Sequence, residues 1–219
     1  MRKYLFPIRE PFSTYSHLIG AIISVAWTVI LLINAAESPL SYKVSFWIYG
    51  ITVFLMFFSS AVYHAINVTF KTEEFYRLLD HIMIYLVIAG SYTPLCVIVL
   101  DGQWRTGMLL GIWLFALAGV FKKIFWLNAP RWFSTALYLL MGWVAVIIFP
   151  QMWELLPMGF SLWIVAGGLF YSIGAIIYAI EKPDPFPPQF GFHELWHLFV
   201  LGGAFSHFWA VFKYLPAYN

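Results

Sequence analysis

Residues 192–213 read FHELWHLFVLGGAFSHFWAVFK. Glu194 stands near the start and Lys213 at the end, and between them the stretch is almost wholly apolar. A helix of this length rises about 30 Å, the thickness of a bilayer's hydrocarbon core. The segment therefore reads as a membrane-spanning helix, and it carries three histidines, His193, His197 and His207. Working back from it, six further stretches meet the same test, at about 15–35, 43–66, 79–99, 104–122, 132–150 and 159–180. The turn and charge signals fall between them: Glu37-Ser38-Pro39, Lys71-Thr72-Glu73-Glu74, Asp101-Gly102-Gln103, Asn128-Ala129-Pro130-Arg131, Glu154 to Pro157 and Glu181 to Pro188.

Composition agrees. Charged residues make up 10% of the 219, against roughly 25% in soluble domains. So few charges cannot cover a water-facing surface, so lipid must be the solvent for most of the chain. The expectation is an all-α integral membrane protein, one seven-helix transmembrane domain over residues 1–219. A net charge of +2 gives no reason to expect nucleic acid as a partner. Cys96 is the only cysteine, so no internal disulfide forms. The first span, preceded by Arg2, Lys3 and Arg9, resembles a secretory signal, but Leu18 to Ile33 is long for one and a retained helix is expected.

Loop charges orient the bundle. With the N-terminus inside, the inner segments hold nine cations: Arg2, Lys3, Arg9, Lys71, Arg77, Lys122, Lys123, Arg131 and Lys182. The outer segments hold three, Lys43, Arg105 and Lys213. Cytoplasmic loops are the ones enriched in Lys and Arg, so the N-terminus is expected in the cytoplasm and the C-terminus outside.

Ionisable groups within a bilayer are costly and mark candidate sites. On this topology His64, Asp80, His193 and His197 all fall in the cytoplasmic half. His193 and His197 are spaced i, i+4 and share one helix face; Ser60 and His64 share another. Three imidazoles suit Zn²⁺ best, with copper, nickel and iron open, and three ligands leave a fourth position free, the arrangement of catalytic zinc. His64, His193 and His197 are the expected metal ligands, Asp80 the general base or an orienting group, and Ser60 a hydrogen-bond donor to a substrate oxygen or to the water on the metal.

Plainer roles compete. His207 and His81 suit interhelical hydrogen bonding. His17, near Ser13 and Ser16, is balanced between structure and function. His193-Glu194-Leu195-Trp196-His197 also fits H-E-x-x-H, which opens a metalloprotease alternative with Glu194 as base. Gly107 and Gly111 form a weak helix-packing pattern, while Gly20, Gly90, Gly167 and Gly168 suit close helix approach. The proline-rich run from Pro183 to Pro188 is a stiff connector that sets where the last helix begins.

These residues also occur in a familiar order. Glu10-Pro11 leads to Ser16-His17; Ser60-Ala-Val-Tyr-His64 follows; then Leu79-Asp80-His81 runs to Gly90-Ser-Tyr-Thr-Pro94; and Phe192-His-Glu-Leu-Trp-His197 comes last. In these motifs the chain resembles the hemolysin III group of bacterial membrane proteins, within the larger family of progestin and adiponectin receptors. The resemblance implies seven helices, a cytoplasmic N-terminus and a bacterial inner membrane location. It implies zinc on His64, His193 and His197, with Ser60 and Asp80 beside it. It further implies a hydrolase of amides or esters in a membrane lipid, as alkaline ceramidases are, or a lipid-responsive regulator of the membrane. The group's name adds a pore-forming, cytolytic alternative.

Overall fold

A computed structural model describes residues 8–187 and 190–216. Arg2, Lys3 and Pro188, which entered the reading above, lie outside the described residues. The chain forms α1 (Pro11–Asn34), α2 (Leu40–Ala65), α3 (Phe70–Val99), α4 (Gly102–Phe125), α5 (Arg131–Gly142), a 3₁₀ segment (Trp143–Ile148), α6 (Phe149–Leu155), α7 (Met158–Ile180) and α8 (Phe192–Tyr214). Together α5, the 3₁₀ segment and α6 make one span, so seven helical spans are long and apolar enough to cross a membrane. Among the described residues no strand forms beyond one isolated bridge, Phe186 to Phe190, which pinches the connector before α8.

Prolines place several helix starts. Pro11 occupies the first turn of α1, and Pro39, Pro130 and Pro157 sit immediately before α2, α5 and α7. A proline there costs nothing, because the first N–H groups of a helix have no partner in any case. The third helix departs from the expected bounds. It begins at Phe70, so Lys71-Thr72-Glu73-Glu74 is helical rather than a connection. Counting apolar residues finds only the lipid-facing part of a helix. Here a polar turn extends it, with Glu73 in the first turn where the helix dipole favours an acid.

The fifth span breaks where Pro150 removes a donor and crowds the carbonyl of Val146. The freed backbone groups find a partner on α3. The Tyr92 hydroxyl donates to Gly142 O at 2.6 Å and accepts from Ala145 N–H at 2.6 Å. In lipid such groups must be satisfied within the protein, so Tyr92 holds the break in place.

The spans pack in sequence from α1 to α4, α7 packs along α8, and α8 closes the bundle against α1 and α3. α1 turns its polar residues inward. Ser13, His17, Ser24 and Thr28 are buried, while Ile19, Ile22, Val25, Val29 and Ile33 are exposed, as expected where lipid is the solvent. Gly20 lies against Phe57 and Leu201, and Gly167 against His207, so a methyl group at either would overlap its neighbour. Gly107 and Gly111 have no described neighbour on that side and build no packing face.

Candidate metal centre

His64 lies in the last turn of α2, next to the helix end at Ala65. His193 and His197 occupy the first two turns of α8. Both helices thus bring their site residues to the same end of the bundle. His193 Nε2 stands 3.3 Å from His64 Nε2 and 3.2 Å from His197 Nε2. One ligand atom from each of the three lies within 4.8 Å of the others. A tetrahedral zinc with Zn–N of about 2.0–2.1 Å separates its nitrogen ligands by roughly 3.3–3.4 Å. The two spacings through His193 match that requirement, and the third pair, His64 with His197, lies within 4.8 Å. Three neutral imidazole nitrogens aimed at one point therefore fit a tetrahedral ion with one position left over. The residues form a site that can hold a metal ion.

The tautomer of His64 follows from its second nitrogen. Nδ1–H donates to Glu10 Oε2 at 2.6 Å, because an ionised carboxylate can only accept. In the neutral ring, the form that ligates a metal, the lone pair is then on Nε2, the nitrogen that faces His193. Glu10 is anchored in turn. Arg9 Nε pairs with Glu10 Oε1 at 3.1 Å, and the Arg9 guanidinium reaches Glu73 Oε1 at 2.6 Å and Tyr63 O at 3.0 Å. The backbone of the same segment is tied to the end of α2 by Glu10 N–H to His64 O and Arg9 N–H to Ala65 O. Burial alone would raise the Glu10 carboxyl; the hydrogen bond from His64 and the Arg9 guanidinium outweigh it and hold it below its ordinary value.

His64 and His197 are each 2% exposed, and His193 opens onto a cavity of about 720 Å³. Ser60 and Asp80 line that cavity together with the histidines. Its deeper walls are mostly apolar, among them Val53, Met56, Ile84, Ile88, Leu95 and Val200. A volume in the range of small-molecule sites, apolar walls and a few convergent polar groups are the marks of a ligand cavity.

The remaining candidates separate. His17 joins the cluster: its ring stacks on His197 with centroids 3.7 Å apart, and neither of its nitrogens has a partner. It stays outside the trio that meets ligand spacing. His207 lies farther along α8 against Ile164 O at 3.3 Å, the interhelical role expected of it. His81 lines the cavity with a buried, unpartnered Nδ1. Glu194 turns back on its own helix. Its Oε2 accepts from Gly191 N–H at 2.8 Å and its Oε1 from the Ser13 hydroxyl at 3.3 Å. It caps α8 and is absent from the cavity wall among the described residues.

Sequence reading passed over two of these residues. Glu10 was noticed only as part of a motif, because a search for ionisable groups inside spans stops short of a residue just before α1. Lys123 was counted among loop charges, yet it is 2% exposed.

Seven apolar spans closed around a buried histidine cluster define a multi-pass integral membrane protein with a candidate metal centre. The chain belongs to the haemolysin-III-related family, whose model matches residues 7–208. It is 39% identical to Hemolysin-3 of Bacillus cereus over 98% of this chain and 95% of the relative. It is 38% identical to the Hemolysin-3 homolog of Bacillus subtilis, covering 96% of each. The human Monocyte to macrophage differentiation factor is 28% identical over 79% of this chain and 71% of its own length. That last likeness ties the chain to the wider receptor superfamily, and its bacterial kin to the bacterial plasma membrane.

Proposed function

We propose that the protein is a zinc-dependent hydrolase that cleaves an amide or ester bond in a membrane lipid. The observation that carries this reading is the meeting of His64, His193 and His197 within ligand reach of one another, on the wall of a large, mainly apolar cavity. Zinc in that position supplies Lewis acidity, which polarises a carbonyl and makes water a better nucleophile near neutral pH.

The chain's own residues supply the rest. Glu10 holds His64 in the ligating tautomer. The apolar walls take the acyl chain and direct its carbonyl carbon toward the histidines. Asp80 accepts the proton of the attacking water and delivers it to the leaving nitrogen or oxygen. Ser60 donates to the carbonyl oxygen as negative charge develops there. The loop-charge bias supports a mouth facing the cytoplasm.

The competing readings are weaker. As a protease base Glu194 would have to face the metal position, whereas both its oxygens are engaged in capping α8 and in the bond to Ser13. The name of the Bacillus relatives suggests lysis, but apolar walls suit an acyl chain better than an ion path. The decisive experiment is metal analysis with lipid mass spectrometry on purified wild type, His64→Ala and Asp80→Asn. Stoichiometric zinc and lipid turnover in wild type support the reading. A protein without bound metal, or one that retains a lipid it never cleaves, sinks it.

A further inference from the structure

Lys123 sits in the last turn of α4, 2% exposed, and lines the cavity. Among the described residues no carboxylate or hydrogen-bond acceptor pairs with its ammonium. Its neighbouring cations are all engaged. Lys122 donates to Ser134 Oγ at 2.9 Å, Arg77 to Asn128 Oδ1 at 2.6 Å, and Arg131 pairs with Glu181 at 2.8 Å. Asp80 also lines the cavity and offsets part of the Lys123 charge, without forming an ion pair with it. His81 Nδ1 is a buried polar atom without a partner in the same cavity.

A buried ammonium with no ion-pair partner is strongly unfavourable unless something supplies further negative charge. We propose that Lys123 centres an anion subsite, with Arg77 and Asn128 beside it, that takes the phosphate of an anionic membrane lipid. The chemistry selects that class. Arg77 and Arg131 line the same cavity, and their positive charge disfavours a choline or ethanolamine and favours a net negative head group. The subsite also shares the cavity with the histidines, so a lipid held here by its phosphate presents its acyl region to the cluster. That this lipid is the substrate rests on the hydrolase reading; that it binds does not.

The test uses the full-length protein in phosphatidylcholine nanodiscs with and without phosphatidylglycerol, and native mass spectrometry of retained lipid. Wild type should prefer phosphatidylglycerol by about tenfold or more, the size of one charge-assisted contact. Lys123→Met and Lys123→Gln should both lose that preference, and Lys123→Arg should keep it. Arg105→Gln, at the opposite end of α4, should leave it unchanged. The same preference in either neutral variant overturns the subsite. Protection from thermal unfolding by inorganic phosphate, with no lipid preference, overturns its assignment to a lipid. The measurement is repeated on His64→Ala. A preference that persists there without turnover keeps the subsite even if the hydrolase reading falls. Turnover of neutral lipids with no preference does the reverse.

Discussion

Glu10 accepts the Nδ1–H of His64 across 2.6 Å, and this one bond decides which nitrogen of His64 faces the other two histidines. A carboxylate on the far side of a ligating imidazole raises its basicity and fixes its orientation. Replacing Glu10 with Gln should weaken zinc binding by about 10- to 100-fold while the fold is kept. Competition with a chromophoric chelator measures this without reference to turnover. An unchanged affinity would show that Glu10 serves only to fasten the segment before α1.

The trio and its stacked neighbour should behave differently. His64→Ala and His197→Ala each remove one of three ligands and should leave the purified protein without stoichiometric zinc. His17→Phe keeps a ring against His197 and should retain the metal. Metal loss in His17→Phe as complete as in His197→Ala would make His17 a fourth ligand and close the open position.

Asp80 and Glu194 separate lipid hydrolysis from proteolysis. Asp80→Asn should keep zinc and lower turnover by about 10²- to 10⁴-fold, the usual cost of losing a general base. Glu194→Gln preserves the capping geometry, since Gln caps as Glu does, and should leave turnover nearly intact. The opposite ranking would point to Glu194 as the base.

Tyr92→Phe removes the hydroxyl that serves Gly142 O and Ala145 N–H at the break in the fifth span. Two backbone groups then lose a partner where lipid offers none, at a cost of about 1–3 kcal/mol for a buried unsatisfied group. A lower thermal unfolding midpoint in detergent, with zinc stoichiometry unchanged, is the expected result.

The sequence by itself determined the number of spans, because hydrophobic length is a local property and a bilayer tests it one segment at a time. It also singled out His64, His193, His197, Ser60 and Asp80, since a charged or ligating group in an apolar run stands out against its neighbours. Helix spacing could pair His193 with His197, four residues apart, but not bring in His64 from 129 residues away. Only the packing of α2 and α8 against α1, with α3 alongside, did that. Tertiary structure alone also decided the direction of each side chain. It turned Glu194 back to cap its own helix and brought Glu10 onto His64 from outside any span. It buried Lys123, which sequence could count only as a loop charge. Such roles depend on which neighbour satisfies a polar atom, and that neighbour is set by packing rather than by distance along the chain.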